Sequence, residues 1–309
     1  MTVLQYSGDG QYEGLEEIVA IARSVGWGAA DILRSFYRGH ANDSNLDIQE
    51  KKDGPVTAAD VAANHYILEK LHAVFGTENF GYLSEETYKS LSEQSRESLV
   101  HTPWVWIIDP LDGTRDFIDK TGEYAVHIAL VYQGRPVVAV VAWPEAQKLY
   151  YATLGGGTFV ETQDGVTTPV QVSQREAMPK AVNEATIADL SVVVSRTHRD
   201  ERFNQLLSQL SFKAKHYVGS VGCKIVTIIE QRADVYISLS GKSAPKDWDM
   251  AAPELILTEA GGQFTHFDGT PLMYNQGDVN QWGGLMASNG TCHQELCTKA
   301  SQFLAKIDE

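Results

Sequence analysis

The sequence predicts an α/β protein of two lobes, an α+β N-terminal lobe over residues 1–185 and an α/β C-terminal lobe over 186–309. Three observations carry this reading. Helical apolar periods dominate the first hundred residues. From Trp104 short β-rich runs follow one another between Gly and Pro turn signals, and beyond about residue 185 strands and helices alternate. At 309 residues the chain is long enough for a sizeable core and for two lobes rather than one.

Residues 13–38 read as a long amphipathic helix, because Leu15, Ile18, Val19, Ile21, Ala22 and Val25 recur near a helical period. The polar stretch "GHANDSNLDIQEKKDGP" separates it from a second helix at about 57–75, whose stripe is Ala59, Ala62, Ala63, Tyr66, Ile67, Leu71 and Val74. "WVWIID", "EYAVHIALVYQG", "RPVVAVVAWP", "KLYYATLG", "GTFVET" and "TPVQVS" then predict an antiparallel meander. In the second lobe "LSVVVS", "FKAKHYV", "ADVYIS" and "GGQFTHF" predict strands. Helices near 200–210, 221–232 and 248–260 lie between them. There is no internal repeat.

Bulk properties narrow the function. A net charge of −15 argues against a nucleic-acid polymer as partner, since phosphate backbones are bound mainly through Lys and Arg. A small phosphorylated substrate stays open, because bound divalent cations invert the field of an acidic site. Cys223, Cys292 and Cys297 are too few and odd in number for a disulfide framework, so a cytoplasmic location is expected. The N-terminus lacks the basic and apolar regions of a signal peptide, and no apolar run reaches bilayer length.

The stretch "DPLDGTRDFI" (109–118) crowds three aspartates behind an apolar strand. Pro110 and Gly113 force a turn, so Asp109, Asp112 and the Leu111 carbonyl can share one small volume. Hard cations such as Mg2+ bind such oxygens. The N–H groups of Gly113, Thr114 and Arg115 suit a phosphate oxygen at a helix start. The ordinary alternative is an aspartate N-cap, with Asp112 satisfying the helix. Glu85 and Glu86 in "LSEE" read equally as an acidic helix start. Asp247 or Asp249 opens the helix that stops at Gly261–Gly262. Thr57 and Asp60 have capping-box spacing, with Asp in place of the usual Glu or Gln. His65, His72, His101, His127, His216, His266 and His293 show no metal-ligand spacing and read as ordinary surface or core histidines.

In their order along the chain, "GPVTAAD" (54–60), "LSEE" (83–86), "DPLDGTRDF" (109–117) and "WDMAAPELILTEAGG" (248–262) resemble the signature of the inositol monophosphatase superfamily. These are Mg2+-dependent, lithium-sensitive phosphatases, and the resemblance spans about residues 12 to 300. It implies a layered αβαβα sandwich of the inositol monophosphatase/fructose-1,6-bisphosphatase type. It implies that Glu85, Asp109, the Leu111 carbonyl, Asp112 and Asp249 hold about two or three Mg2+ ions, with Glu86 beside them. It further implies that Thr114 and Asp60 orient the water that attacks phosphorus in line. Thr57 sits next to that pair, and the Gly113 and Thr114 amides are implied to hold phosphate.

"VVVSRTHRD" (192–200) resembles the SRSH-type segment of the CysQ-type 3'(2'),5'-bisphosphate nucleotidases, with Thr197 in place of Ser. "GSVGCK" (219–224) is similar to their substrate segment. The resemblance implies substrate contacts from Ser195, His198, Ser220 and Lys224, with Arg196 nearby. Lys224 has an alternative as a surface lysine with a snorkelling stem. Two features depart from the pattern. Lys224 stands one residue further from Ser220, and Ser238 stands where many such enzymes carry Arg. Lys242 and Lys246 are candidate substitutes.

The implied reaction releases the 3'-phosphate of 3'-phosphoadenosine 5'-phosphate, giving AMP and phosphate and clearing a by-product of sulfate assimilation. An inositol-1-phosphate or fructose-1,6-bisphosphate phosphatase is the alternative enzyme, and a non-catalytic metal- or phosphate-binding protein is the alternative of another class. A monomer or homodimer is expected.

Overall fold

The computed structural model describes residues 6–7, 11–12, 14–39, 48–51, 54–173, 186–196 and 200–307. A short pair, β1 (Tyr6–Ser7) and β2 (Gln11–Tyr12), precedes helix α1 (Leu15–Tyr37), which buries Ile18, Val19, Ala22, Val25, Ala29 and Leu33. The hairpin β3 (Gln49–Lys51) and β4 (Gly54–Val56) leads into α2 (Ala58–Phe75). Helix α2 starts with a capping exchange. The Ala59 N–H donates to Thr57 Oγ1 at 3.1 Å, and the Thr57 N–H donates to Asp60 Oδ2 at 2.8 Å.

Next come β5 (Phe80–Ser84), α3 (Glu85–Tyr88), α4 (Glu93–Val100), β6 (Trp104–Asp112), α5 (Thr114–Ile118), β7 (Ala125–Tyr132), β8 (Arg135–Trp143), β9 (Lys148–Thr153), β10 (Gly157–Thr162) and β11 (Thr167–Val170). They form a seven-stranded sheet in the order β11-β10-β9-β8-β7-β6-β5. Strands β6 to β11 are the predicted antiparallel meander. The sheet extends one strand further than the meander, because β5 pairs parallel to β6. A parallel neighbour needs a long crossover, and the segment holding α3 and α4 supplies it.

The second half runs β12 (Ser191–Val194), α6 (Glu201–Leu210), β13 (Ala214–Tyr217), α7 (Val221–Ile229), β14 (Val235–Leu239), α8 (Asp247–Glu259), β15 (Gln263–His266), β16 (Gly284–Ser288) and α9 (His293–Ile307). Its five-stranded sheet has the order β13-β12-β14-β16-β15. The first three of these strands are mutually parallel, and β16 is antiparallel to both its neighbours. Strand β16 and helix α9 lie beyond the last element that the alternation predicts. The lobe boundary expected near residue 185 lies outside the described residues.

Three apolar cores stack these elements into five layers. Helices α1 and α2 cover one face of the large sheet through Leu33, Ile67, Trp106 and Ile128. Helices α7 and α8 fill the space between the sheets with Ile225, Ile228, Leu255 and Ile256. Helices α6 and α9 close the far face of the small sheet through Phe203, Leu206, Leu296 and Ala300. This is the αβαβα order that the resemblance implies. All three cysteines are free. Among the described residues no helix is long and apolar enough to cross a membrane.

Helix α8 is the spine of the middle layer, so truncating it should loosen both sheets. Ile256→Ala, at a fully buried position, is expected to cost about 2–5 kcal/mol. Urea unfolding should show the midpoint falling with little change in slope.

Candidate active site

Strand β6 does not end at Asp109, as the turn signals suggest. Asp109 pairs with His127 and Asp112 with Ala125, so β6 carries one extra residue opposite β7. Such a bulge breaks the strict alternation of side chains, and here it lets Asp109 and Asp112 serve the same side. The Leu111 N–H donates to Asp109 Oδ1 at 3.0 Å, closing the bulge. Asp249, in the first turn of α8, arrives from the other lobe. Asp109, Asp112 and Asp249 each place a carboxylate oxygen within 4.8 Å of the others.

Each of the three is anchored by one oxygen. Asp112 Oδ2 accepts the Ser220 hydroxyl and the Gly222 N–H, the latter at 3.1 Å. Asp249 Oδ2 accepts the Lys246 N–H at 2.7 Å and thereby caps α8. Asp247 does not cap it. Its buried carboxylate accepts the Asn275 N–H and the Gln281 side-chain amide, both at 2.8 Å. Glu85, at the start of α3, lies close enough to Asp109, Asp249, Asp60 and Glu86 to feel their charge.

Burial pushes Glu85 and Asp109 well above the usual carboxylate range, and the neighbouring acids add to the effect. Asp249 is raised to about 7 by burial and then by Asp112. A set of oxygen donors whose charges oppose one another, with Asp109 and Asp112 buried and Glu85 and Asp249 half-buried, fits a hard divalent cation.

Thr114 and Asp60 meet next to this cluster. The Thr114 hydroxyl lies 3.2 Å from Asp60 Oδ1 and also 3.2 Å from the Leu111 carbonyl. The other Asp60 oxygen accepts both the N–H and the hydroxyl of Thr57, so Thr57 fixes the direction of Asp60 as well as capping α2. Burial raises Asp60 to about 6, against the opposing pull of the Thr57 hydrogen bonds. Gly113, at φ 91°, begins α5. A Cβ there would lie 3.0 Å from the Glu123 carbonyl oxygen and 3.2 Å from the Ser220 nitrogen.

Ser220 caps α7 and faces Asp112 at the same time. Lys224 is buried, which overturns the surface-lysine alternative, and its amine donates to the Gly219 carbonyl. Burial lowers its pKa although Asp112, Cys223, Asp116 and Asp249 pull it upward. Lys246 donates its amine to Asn280, while Lys242 is exposed on the loop before α8. Ser195 is half-buried just after β12. Arg196 pairs with Asp116 and Glu123. His198 lies outside the described residues.

One residue of the site escapes the sequence reading. His127 is fully buried, with Nε2 3.3 Å from Asp112 Oδ2 and Nδ1 3.3 Å from the Trp248 carbonyl oxygen. Burial lowers its pKa. Gly222 makes room for it, because a Cβ at 222 would stand 2.3 Å from His127 Nε2. The signal was a lone polar residue in the otherwise apolar strand "AVHIALV".

Comparison with known proteins places this geometry. The model of the inositol monophosphatase family matches residues 14–305. The chain is 34% identical to the 3'(2'),5'-bisphosphate nucleotidase CysQ of Salmonella typhimurium, across 84% of this chain and 93% of that protein. It is 32% identical to the CysQ nucleotidase of Escherichia coli K12 over the same shares. Among solved structures, an IMPase from Thermotoga maritima superposes with a TM-score of 0.73 at 20% identity, covering 94% of this chain and 99% of that one. The extragenic suppressor protein suhB of Bartonella henselae gives 0.72 at 22% identity, covering 93% and 99%. At these identities the two structures speak to the fold.

Two outcomes are expected from the geometry. Asp60 and Asp247 have folded-state pKa values of about 6 and 7, above the ordinary 3.8. At these two carboxylates the folded state binds more protons than the unfolded state between about pH 4 and 7, so their contribution to stability falls as pH rises through that window. His293, lowered by burial to about 4, acts the other way below about pH 6.5. Each unit of raised pKa corresponds to about 1.4 kcal/mol. Metal-free protein should melt at a higher temperature at pH 5.5 than at pH 8, and Mg2+ should raise the pH 8 value most. Gly222→Ala should displace His127 or the start of α7, lowering thermal stability and Mg2+ affinity together in a calorimetric titration.

Proposed function

The chain belongs to the inositol monophosphatase family, and on that premise we propose that it is a Mg2+-dependent nucleotidase. In this reading it removes the 3'-phosphate of 3'-phosphoadenosine 5'-phosphate, giving AMP and inorganic phosphate. The observation that carries catalysis, as against mere binding, is the 3.2 Å hydrogen bond from the Thr114 hydroxyl to Asp60 beside the carboxylate cluster. The choice of a nucleotide is supported by the curated relatives at 34% and 32% identity.

Asp109, Asp112, Asp249 and Glu85, with the Leu111 carbonyl, would hold about two or three Mg2+ ions in this proposal. Bound there, Mg2+ would neutralise the substrate's phosphate charge, lower the pKa of a water and stabilise the leaving oxygen. Thr114 would hold that water through a hydroxyl lone pair when its proton goes to Asp60 Oδ1 rather than to the equally near Leu111 carbonyl. Asp60, raised to about 6, would be ionised near neutral pH and ready to take the proton relayed by Thr114.

The Gly113 and Thr114 amides would bind phosphate oxygens, and Ser220 would keep Asp112 aimed. Lys224 would supply positive potential from behind Ser220. In this reading residues 1–185 carry the dyad and most cation ligands, and 186–309 carry Asp249 and the substrate pocket with Ser195 and His198.

One observation favours the alternative of an inositol-1-phosphate or sugar-phosphate substrate. Ser238 stands on β14 without a cationic side chain, so the charge offered to a second phosphate is modest. Phosphate release with 3'-phosphoadenosine 5'-phosphate, inositol-1-phosphate and fructose-1,6-bisphosphate separates the readings. The assay would be run with Mg2+, with and without Li+. The nucleotide should be preferred and Li+ should inhibit. Thr114→Ala should lose about 10²–10⁴ in kcat, and Asp112→Asn should lose at least as much. Preference for a polyol or sugar phosphate would keep the metal site and replace the substrate. No release from a folded protein would leave a binding protein.

A further inference from the structure

Arg196, just after β12, reaches across to the segment between α5 and β7. Its Nε donates to Asp116 Oδ1 at 3.3 Å, and its Nη2 donates to Glu123 Oε2. The same Glu123 oxygen accepts the Gly219 N–H at 2.7 Å. Asp116 is held in turn by the Thr121 hydroxyl at 2.9 Å. Gly219 is packed so closely that a Cβ would stand 2.4 Å from the Asp116 carboxylate carbon and 2.6 Å from the Glu123 carbonyl oxygen. The next residue, Ser220, caps α7 and donates to Asp112, and the Gly222 N–H meets the same Asp112 oxygen. One continuous set of contacts therefore runs from Arg196 through Glu123 and Gly219 to Asp112.

We infer that Arg196 is a positioning residue rather than a substrate ligand: with Glu123 it latches the two lobes and holds the start of α7 against Asp112. The inference rests on the phosphatase reading for its kinetic arm alone. A planar guanidinium suits this task, since its fork engages two carboxylates at once while a lysine amine acts as a point charge. Two of its five N–H donors are directed at Asp116 and Glu123, so a phosphate would have to displace one of those acids to use those two.

The ion pairs are partly exposed, with 35% of the Arg196 side chain open to solvent, so their share of global stability is small. Their leverage is geometric. If Gly219 slips, Asp112 loses both donors that fix its anchored oxygen. The signature of the latch is then a loss of cation affinity without a matching loss of thermal stability.

The test uses the full chain with Arg196→Gln, Arg196→Lys, Glu123→Gln and the double variant Arg196→Gln/Glu123→Gln. Mg2+ binding is measured by calorimetry without substrate. kcat and KM are measured on whichever phosphomonoester the panel selects, and thermal midpoints report folding. Arg196→Gln and Glu123→Gln should each weaken Mg2+ binding about tenfold, as outer partners of metal ligands do. Each should lower kcat while KM moves less than about threefold. The double variant should be no worse than the weaker single one, and Arg196→Lys should fall between Arg196→Gln and the parent.

A tenfold rise in KM with Mg2+ affinity unchanged would make Arg196 a substrate ligand and overturn the latch. Multiplying effects in the double variant, or no change in any variant, would overturn it too. If no phosphate is released from any substrate, the proposed function fails while the Mg2+ titration still decides the latch.

Discussion

The mutual repulsion of Asp109, Asp112 and Asp249, gathered within 4.8 Å, is the constraint around which the molecule is arranged. Carboxylates gathered this closely must shed charge to protons, as the raised Asp109 and Asp249 tend to do, or share a cation. Both solutions demand that the oxygens stay where they are when the compensating charge leaves. The fold answers with fixed donors. Asp112 is gripped from α7, Asp249 by the amide that opens α8, and Asp109 by the amide two residues ahead of it. Every one of these anchors is a backbone N–H or a short side chain at a helix or strand terminus, where little rotamer freedom remains to be lost.

This arrangement explains why two sheets are needed. The β6 bulge presents two acids but cannot present a third from a different direction. Helix α8, packed between the sheets, brings Asp249 in from the other side. The middle layer is therefore structural and functional at once. The apolar residues of α8 set its height between the sheets, and its first turn converts that height into an oxygen position. His127 ties the two together, touching Asp112 with one ring nitrogen and facing the Trp248 carbonyl with the other.

What the sequence made legible follows from which signals are local. Periodicity gave α1 and α2, and β-rich runs between Gly and Pro turn signals gave the meander, because both are written in consecutive residues. Four chemical pieces in order gave the site, through resemblance more than through any single spacing. The parallel strand β5 was hidden, since "FGYLS" is short and its partner lies beyond a crossover. Strand β16 was hidden for a related reason. It inserts between β14 and β15 against the chain order, and no local pattern announces an insertion. The bulge between Asp109 and Asp112 is likewise a property of pairing with β7. Lys224 shows the same limit, because whether a helical lysine is buried depends on what the opposite sheet brings to it.

Charge placement bears on how such a site would select its substrate. Of the cations singled out around the pocket, Arg196 engages Asp116 and Glu123, Lys224 donates to the Gly219 carbonyl, and Lys246 donates to Asn280. Lys242 stays exposed on the loop before α8. A chain of net charge −15 offers a phosphorylated ligand little attraction from its surface as a whole. In the proposed reading attraction would be concentrated where cations bind, which would fix the reacting phosphate more firmly than a second one. A substrate with two phosphates gains from such a site only if its second group reaches a cation of the rim. In the proposed reading, discrimination among phosphomonoesters would fall to residues around the cluster such as Ser195 and Ser238, because the carboxylates would meet only the cations beside the reacting phosphate.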